Sequence, residues 1–331
     1  MDFLDLVLSS MEFLTFREKS SLRKIVKSAE ELASFSRDDI SSAIHRRVRT
    51  STWNGGSALA QAEKSAAIME RFGIEMVRYD QDSFPGLLSE IFDPPFVLYY
   101  RGNLSCLEKK TVSVVGTRRL CRKSAEKTAD FAFQAAKNGC CVVSGLAYGA
   151  DSFAHRGALK AAEEGLSGLT CAVLPGGIDT IVPSGNKKIA EYILKTEGCI
   201  VSEYLPGAPA ESWRFVQRNR IIASLSPVTV VSEAPVGSGA LITVDYALGY
   251  DRDVMFLDTC FCEEAKELEK KSLAALEASG KGESEKISRT CSMYVQEGAS
   301  VVNDFDDFCR VLSDAPGTSQ MHKKNVQLDL F

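Results

Sequence analysis

The hydrophobic positions at the start of the chain repeat every three to four residues. Leu4, Leu8 and Met11 lie on one such face, and similar faces follow further along. This spacing is typical of amphipathic helices. Another helix is predicted over residues 58–71, before a glycine. We therefore expect a small α-helical N-terminal domain over residues 1–72.

After residue 73 the pattern changes to short β-rich runs that alternate with helical segments. Nine runs are predicted to be strands: 74–77, 96–100, 112–115, 141–144, 171–174, 199–201, 228–231, 254–257 and 300–302. The predicted helices between and after them are 124–138, 151–164, 187–196, 219–225, 240–248 and 304–312. Short strands alternating with helices of about ten residues indicate an α/β fold with a doubly wound, Rossmann-like parallel sheet.

Charge marks one interruption of this pattern. Residues 262–289 contain seven Glu and six Lys or Arg, which is typical of a solvated, helical insertion. Residues 314–331 lack a core-forming pattern and are predicted to be a flexible tail. The expected organisation is thus the N-terminal helical domain, an extended Rossmann-like domain over 73–313 that contains the insertion, and the tail.

Composition limits the classes of function. The chain has 331 residues, of which 45% are hydrophobic, and a formal net charge of −5. Any nucleic-acid site must therefore be a local basic patch. No apolar run approaches the roughly 18 residues of a membrane span, and the first residues lack the basic start of a secretory signal. We expect a cytoplasmic protein without membrane contact.

The ten cysteines form no CxxC pair, which favours free thiols and no metal site.

Glycine and basic residues cluster where the predicted strands end. Ligands of doubly wound sheets bind at the carboxyl ends of the strands. Glycines let backbone N–H groups approach an anion, helix N-termini add positive partial charge, and arginine and lysine add donors. The pattern predicts a polyanion pocket. The candidate contacts are Gly116, Thr117, Arg118, Arg119, Ser144, Gly145, Gly149, Gly176, Gly177, Asn186, Lys187, Arg214, Arg218 and Arg220. Neither G-x-G-x-x-G after residue 115 nor G-x-x-x-x-G-K-[ST] occurs, so no nucleotide cofactor is predicted.

Long motifs at these positions resemble the DNA-processing protein A (DprA, also called Smf) family. They are VSVVGTRR, SGLAYGADSFAHRGAL, PGGIDTIVPSGNKK, SEYLPG, RFVQRNRIIASLS and VVSEAPVGSGALIT. The similarity covers roughly residues 74–258. It implies single-stranded DNA binding, a homodimer, and loading of the RecA recombinase onto DNA.

The resemblance also ranks the contacts. By motif match, Arg118 and Lys187 are the leading phosphate contacts, and Arg218 and Arg220 are near neighbours. The alternative for Arg218 and Arg220 is an internal salt bridge, because buried arginine commonly pairs with a carboxylate.

Five further polar residues lie near the strand ends. We interpret Asp151, Asp179, Glu203 and Glu233 as helix caps and arginine partners rather than general acids or bases. Asp151 and Glu203 are the suggested salt-bridge partners of Arg218 and Arg220. His155 is interpreted as a packed, hydrogen-bonded residue. No catalytic residue is predicted, and the protein is not expected to be an enzyme.

Two other functions remain open. The run PGGIDT at 175–180 is similar to the P-G-G-x-G-T turn of the LOG-type nucleotide phosphoribohydrolases. However, Asp179 replaces the second-cluster glycine of that motif, and Pro183 stands where it has a glutamate. A pure interaction adaptor without DNA binding would also be consistent with the charged insertion.

The last five residues are Gln327, Leu328, Asp329, Leu330 and Phe331. They resemble the Q-L-[SD]-L-F peptide by which bacterial proteins dock on the replicative sliding clamp. Exposed apolar side chains at a chain end are unfavourable unless something covers them. The alternative is that they fold back onto the protein's own surface.

Overall fold

The computed structural model describes residues 2–49, 53–166, 170–278 and 289–314. The N-terminal region consists of α1 (Phe3–Ser10), α2 (Phe16–Ile25), α3 (Ala29–Ser34), α4 (Arg37–Ala43) and α5 (Gly55–Phe72). Local chemistry sets the ends of these helices. Thr15 and Ser36 each form a capping box with the acid three residues later, which satisfies free backbone N–H groups. Gly73 ends α5 in the left-handed region, at φ +60°, where glycine is favoured.

The described part of the sheet region contains nine strands and nine further α-helices. In chain order they are β1 (Glu75–Arg78), α6 (Gly86–Ser89), β2 (Val97–Gly102), β3 (Thr111–Val115), α7 (Arg122–Lys137), β4 (Cys141–Ser144), α8 (Ala150–Glu163), β5 (Thr170–Val173), α9 (Lys187–Lys195), β6 (Cys199–Ser202), α10 (Ser212–Ser224), β7 (Val228–Val231), α11 (Gly239–Gly249), β8 (Asp253–Leu257), α12 (Glu263–Ala278), α13 (Cys291–Gln296), β9 (Ser300–Val302) and α14 (Phe305–Asp314). Helix α12 lies in the predicted charged insertion.

All nine strands form one sheet, in the order β1-β2-β6-β5-β4-β3-β7-β8-β9. From β6 to β9 every neighbouring pair is parallel, which confirms the predicted α/β, Rossmann-like class. Strands β1 and β2 extend the sheet in antiparallel register, with Tyr99 opposite Ser202. The chain moves one way from β3 to β6 and then returns to the other side of β3 with β7. The switch point, where such sheets bind ligands, is therefore the crevice between β3 and β7.

Helices cover both faces of the central strands. Every residue of β3, β4, β5 and β7 is buried, which explains why these strands appear in the sequence as continuous apolar runs. Leu6, Leu22 and Ala62 of the N-terminal helices share one apolar cluster with Tyr99 of β2 and Ile193 of α9. The N-terminal helices thus pack against the β2 side of the sheet. The division into domains at residues 72 and 313 remains a prediction.

The sequence misplaced the start of α10. It placed the run 214–220 in a loop before a helix at 219–225, but the helix spans Ser212–Ser224. No glycine or proline interrupts that span, and the arginines that suggested a loop are buried within it. None of the described helices is both long and apolar enough to cross a membrane. All ten cysteines are free thiols, and seven of them are buried.

Candidate nucleic-acid interface

The loop after β3 presents two arginines at the switch point. Thr117 N donates a 2.6 Å hydrogen bond to Glu233 O, which fixes the loop against the end of β7. A side chain at Gly116 would clash with the Ser232 hydroxyl and with Glu233 O, so this close approach requires glycine. Arg118 and Arg119 are exposed. Their charges therefore lie on the surface, at the carboxyl edge of the sheet.

The loop after β4 packs directly on the loop after β3. Gly149 has φ +78°, and a Cβ there would clash with Thr117 O and the backbone of Arg118. Ala150 N, at the start of α8, donates to Thr117 O at 3.1 Å. The positive end of α8 is thus directed at the loop that carries the arginines.

The loop after β5 adds a third element to this edge. Asn186 is buried, and its Nδ2 donates to Leu146 O at 2.8 Å and to Ala147 O at 3.2 Å. Lys187 follows as the first residue of α9 and is exposed. The structure therefore brings the predicted contacts of three loops to one edge, with Asn186 as the tie between two of them.

A cavity of about 390 Å³, which we call the edge cavity, opens at the switch point. Arg118, Arg119 and Asp151 line it together with Phe215 of α10 and Ser238 at the start of α11. The guanidinium carbon of Arg118 lies 5.4 Å from the centre of the Phe215 ring, a distance typical of a cation–π contact. The sequence had assigned no role to Phe215 or Ser238. The sequence pattern that could have identified Ser238 is the run Gly237-Ser238-Gly239 at the start of a helix. Glycine near a helix start also identified the other loops.

Arg218 has an internal role instead of the predicted phosphate contact. Its Nη1 donates to Gly145 O at 2.6 Å and also to Val173 O, so it joins the ends of β4 and β5. Burial lowers the pKa of Arg218 to about 10, although the carboxylate of Asp151 opposes this shift. Burial likewise raises the pKa of Asp151, against the attraction of Arg218. The opposite charges of Arg218 and Asp151 thus offset part of each other's cost of burial.

Arg214 and Arg220 are also held inside the protein. Arg214 Nη2 donates to Glu12 Oε1 at 2.8 Å, so α10 is tied to the N-terminal region. Arg220 donates to Glu203 and, at 2.6 Å, to Asp93 O. The prediction that these two arginines and Arg218 contact phosphate is therefore not retained, because all three are buried and each donates to oxygen atoms inside the protein. For Arg220 the structure shows the salt bridge to Glu203 that was the alternative.

Two other predicted contacts, Ser144 and Gly177, are buried and have internal hydrogen-bond partners. Ser144 Oγ donates to Val114 O at 2.7 Å. Gly177 N donates to Ala208 O at 2.9 Å, and Gly176 packs against the same loop. The hydrogen-bond donors of Ser144 and Gly177 are thus already used inside the protein.

The remaining predictions concern metals and the chain end. Within the described ranges, no group of three or more His, Cys, Asp or Glu side chains is placed to hold a metal ion. The proposed clamp-docking residues 327–331 lie outside the residues that the structure describes.

Sequence comparison relates the whole sheet region to one family. The family model for DNA recombination-mediator protein A matches residues 75–313. DNA processing protein DprA of Streptococcus pneumoniae is 41% identical over 226 residues, which is 68% of this chain and 70% of that protein. Protein Smf of Borreliella burgdorferi is 36% identical over 204 residues, which is 62% of this chain and 63% of that protein. The match to Smf thus spans less than two thirds of its length.

Comparison of structures gives the same relation. The X-ray structure of DprA from Streptococcus pneumoniae superposes with a TM-score of 0.67 at 27% identity, and covers 95% of this chain and 98% of that one. DprA from Helicobacter pylori, whose structure is titled for its single-stranded DNA binding mode, gives a TM-score of 0.57. It is 24% identical and covers 73% of this chain, so this likeness shows the fold alone. With the family model matched across the sheet region, the chain belongs to the DNA recombination-mediator protein A (DprA/Smf) family.

Proposed function

We propose that the protein binds single-stranded DNA along the carboxyl edge of its sheet, with phosphate contacts from Arg118, Arg119 and Lys187. The observation that carries this proposal is the convergence of these exposed cations at one edge, beside the N-terminus of α8, in a chain of net charge −5. Helix N-termini and arginine forks both favour phosphate. Family membership supports the assignment, because the relatives are DNA-processing proteins by name.

The shape of the edge cavity favours a single strand over a duplex. A volume of about 390 Å³ suits single nucleotides, whereas duplex readers insert a helix or ribbon into the 12 Å wide major groove. Phe215 at the cavity offers a ring on which a base stacks, as in other single-strand binders. Phosphate contacts and stacking carry little sequence information, so we expect binding at this edge to be largely independent of sequence.

The test is a titration of labelled oligo-dT followed by fluorescence anisotropy at several salt concentrations. Affinity should fall with salt by a slope of about −0.7 per phosphate neutralised. Arg118→Ala and Lys187→Ala should each weaken binding and flatten the slope by about one contact.

The matched control is Lys195→Ala. Lys195 is exposed in the last turn of α9, at the far end of that helix from Lys187. Its substitution by alanine removes one positive charge, as Lys187→Ala does. It should leave the slope unchanged. If the Arg118→Ala, Lys187→Ala double variant bound like the parent protein, the edge would not be the DNA site. If the parent protein bound no oligo-dT, the adaptor function would gain support.

We propose further that the protein forms a homodimer and acts with RecA in the cytoplasm. The basis is the family resemblance, and two edges held side by side would raise avidity for one strand without new contacts. Light scattering at tens of micromolar should report twice the 36.1 kDa chain mass; a monomer there would contradict the dimer. RecA loading predicts faster RecA filament assembly on DNA coated by single-strand-binding protein.

We propose that the protein acts by binding rather than by catalysis. Asp179 Oδ1, in the segment similar to the phosphoribohydrolase turn, accepts a 2.7 Å hydrogen bond from Gly207 N. It is thus used to hold a neighbouring loop, and Pro183 replaces the acid of that motif. Incubation with nucleoside monophosphates should release no free base. Release that depended on Arg118 would instead support the enzyme.

For the chain end we propose that Gln327–Phe331 docks on the replicative sliding clamp. The apolar residues can fill a groove as anchors, and a preceding tether would allow docking while DNA is bound. Deleting residues 327–331 should abolish clamp capture in a pull-down and leave oligo-dT affinity unchanged. Absence of clamp binding by the full chain would refute this proposal.

A further inference from the structure

A second cavity of about 450 Å³ lies where the N-terminal helices meet the sheet. We call it the junction cavity. Its walls are the turn between α1 and α2, the loop 93–96 before β2, the residues after β6, and α10. It shares no lining residue with the edge cavity. The two cavities lie on either side of α10, and a helix with its side chains is about 10 Å across.

Aromatic rings and a stacked arginine form one side of the junction cavity. The rings of Tyr204 and Trp213 meet nearly at right angles, with centroids 6.3 Å apart. The guanidinium carbon of Arg214 lies 4.6 Å from the Tyr204 centroid and 5.0 Å from that of Trp213. Trp213 is 48% exposed, so part of its ring surface is open to a ligand. Planar groups of this kind stack on aromatic and guanidinium faces.

The polar groups of the cavity have unused hydrogen-bonding capacity. Glu203 Oε2 binds Arg220, but its buried Oε1 accepts no hydrogen bond, and the buried Nε of Arg214 donates none. Lys19 Nζ donates to Ser9 O at 3.2 Å, and an ammonium group has three donors. Burial lowers the pKa of Lys19 to about 8, so it remains protonated at neutral pH. Unpaired buried polar groups are costly, which favours a ligand that has both donors and acceptors.

The charge balance does not favour a site for phosphate alone. The lining contains three cations and three carboxylates, namely Lys19, Arg214, Arg220, Glu12, Asp93 and Glu203. A planar ligand with a donor edge for the carboxylate and an acceptor edge for the cations fits better. Nucleobases have this character, and guanine fits best, because its N–H edge suits a carboxylate while O6 and N7 accept from arginine or lysine.

We propose that the junction cavity binds a nucleobase, preferably guanine, stacked on Trp213 and read by Glu203 and Lys19. The base belongs either to a free nucleotide or to the strand held at the edge, and only the second source rests on the proposed function. A strand that crosses α10 would place one base in this cavity. The site would then add a base preference at one position to the sequence-independent phosphate contacts.

Tryptophan fluorescence tests the free-nucleotide source. The chain has two tryptophans, so a Trp53→Phe background leaves Trp213 as the reporter. Adding dGMP should quench its emission to saturation. Lys19→Met should weaken dGMP binding about tenfold, within the range that one recognised base contributes. Lys24→Met is the matched control, because Lys24 is exposed on the same helix and does not line the cavity. Glu203→Gln should weaken binding as well, provided that its melting temperature matches the parent.

Competition between oligonucleotides tests the strand source. An oligo-dT with one central dG should bind about tenfold more tightly than all-dT, and Lys19→Met but not Lys24→Met should remove this difference. Quenching by dGMP without a preference for the dG-containing oligonucleotide assigns the site to free nucleotides. A preference for that oligonucleotide without quenching by dGMP assigns the site to the bound strand. If neither effect appears, the junction cavity does not bind bases, even where oligo-dT binds normally. Loss of oligo-dT binding alone would count against the edge site only.

Discussion

His155 makes the free energy of unfolding depend on pH. The residue is fully buried on α8, and its Nδ1 lies 2.7 Å from Thr170 Oγ1. The Thr170 hydroxyl donates its proton to Val142 O at 2.7 Å, so it must accept from His155. The histidine therefore carries its proton on Nδ1, and Nε2 is a buried acceptor without a partner. Burial, with a smaller contribution from the charge of Arg218, lowers the pKa of His155 to about 3.

This shift defines a pH window for stability. An unfolded histidine has a pKa of about 6.5, so between pH 6.5 and about 3 the unfolded chain binds a proton that the folded protein excludes. Stability from this group is complete above pH 6.5 and falls as the pH drops through the window. From pH 7 to pH 5 the loss is about 2 kcal/mol, from 1.36 kcal/mol per unit over roughly 1.5 units.

The perturbation is His155→Asn, which keeps a donor for Thr170 and removes the titrating group. Urea unfolding at pH 7 and pH 5 gives the free energy of unfolding of both proteins. The variant should be less stable at pH 7, because asparagine fills less volume, but its loss on acidification should be about 2 kcal/mol smaller than that of the parent. Equal losses in the two proteins would refute the reasoning. So would an NMR titration that shows His155 protonating near pH 6.5 in the folded state.

Three further substitutions test the packing of the edge and of the N-terminal helices. Gly149→Ala should lower the free energy of unfolding by about 1–3 kcal/mol, because φ +78° favours glycine and backbone strain of this kind costs that much. Urea unfolding measures this loss, and an unchanged midpoint would contradict the clash with Thr117 O. Arg218→Met should lower the free energy of unfolding by about 3–5 kcal/mol, because Asp151 would stay buried without the opposing charge of Arg218. A thermal melt at pH 7 detects this loss, and a melt equal to the parent's would show that the charge of Arg218 is not needed. Thr15→Ala removes the capping box of α2 and should lower the free energy of unfolding by about 1 kcal/mol. Circular dichroism during unfolding measures this loss, and a larger loss would mean that Thr15 does more than cap the helix.

The sequence by itself determined the class of sheet, and it predicted at which edge of the sheet a ligand binds. Strands such as β4 and β7 are buried on both faces, so their residues form apolar runs that stand out from the helices between them. Glycine at 116 and 149 was informative for the same local reason, since close backbone contact or positive φ excludes other residues. Arg118 was correctly placed in the loop after β3, and Lys187 at the start of the helix that follows β5.

The tertiary structure alone decided which basic residues are free. Arg214 and Arg220 belong to a motif as basic as the edge loops, yet Arg214 pairs with Glu12 and Arg220 with Glu203. The first pair joins residues about two hundred positions apart, and no periodicity or spacing encodes such a partner. The junction cavity has the same origin, because it exists only where the N-terminal helices dock on the sheet. Periodicity reports local backbone geometry, whereas burial and charge pairing depend on which distant segments the fold brings into contact.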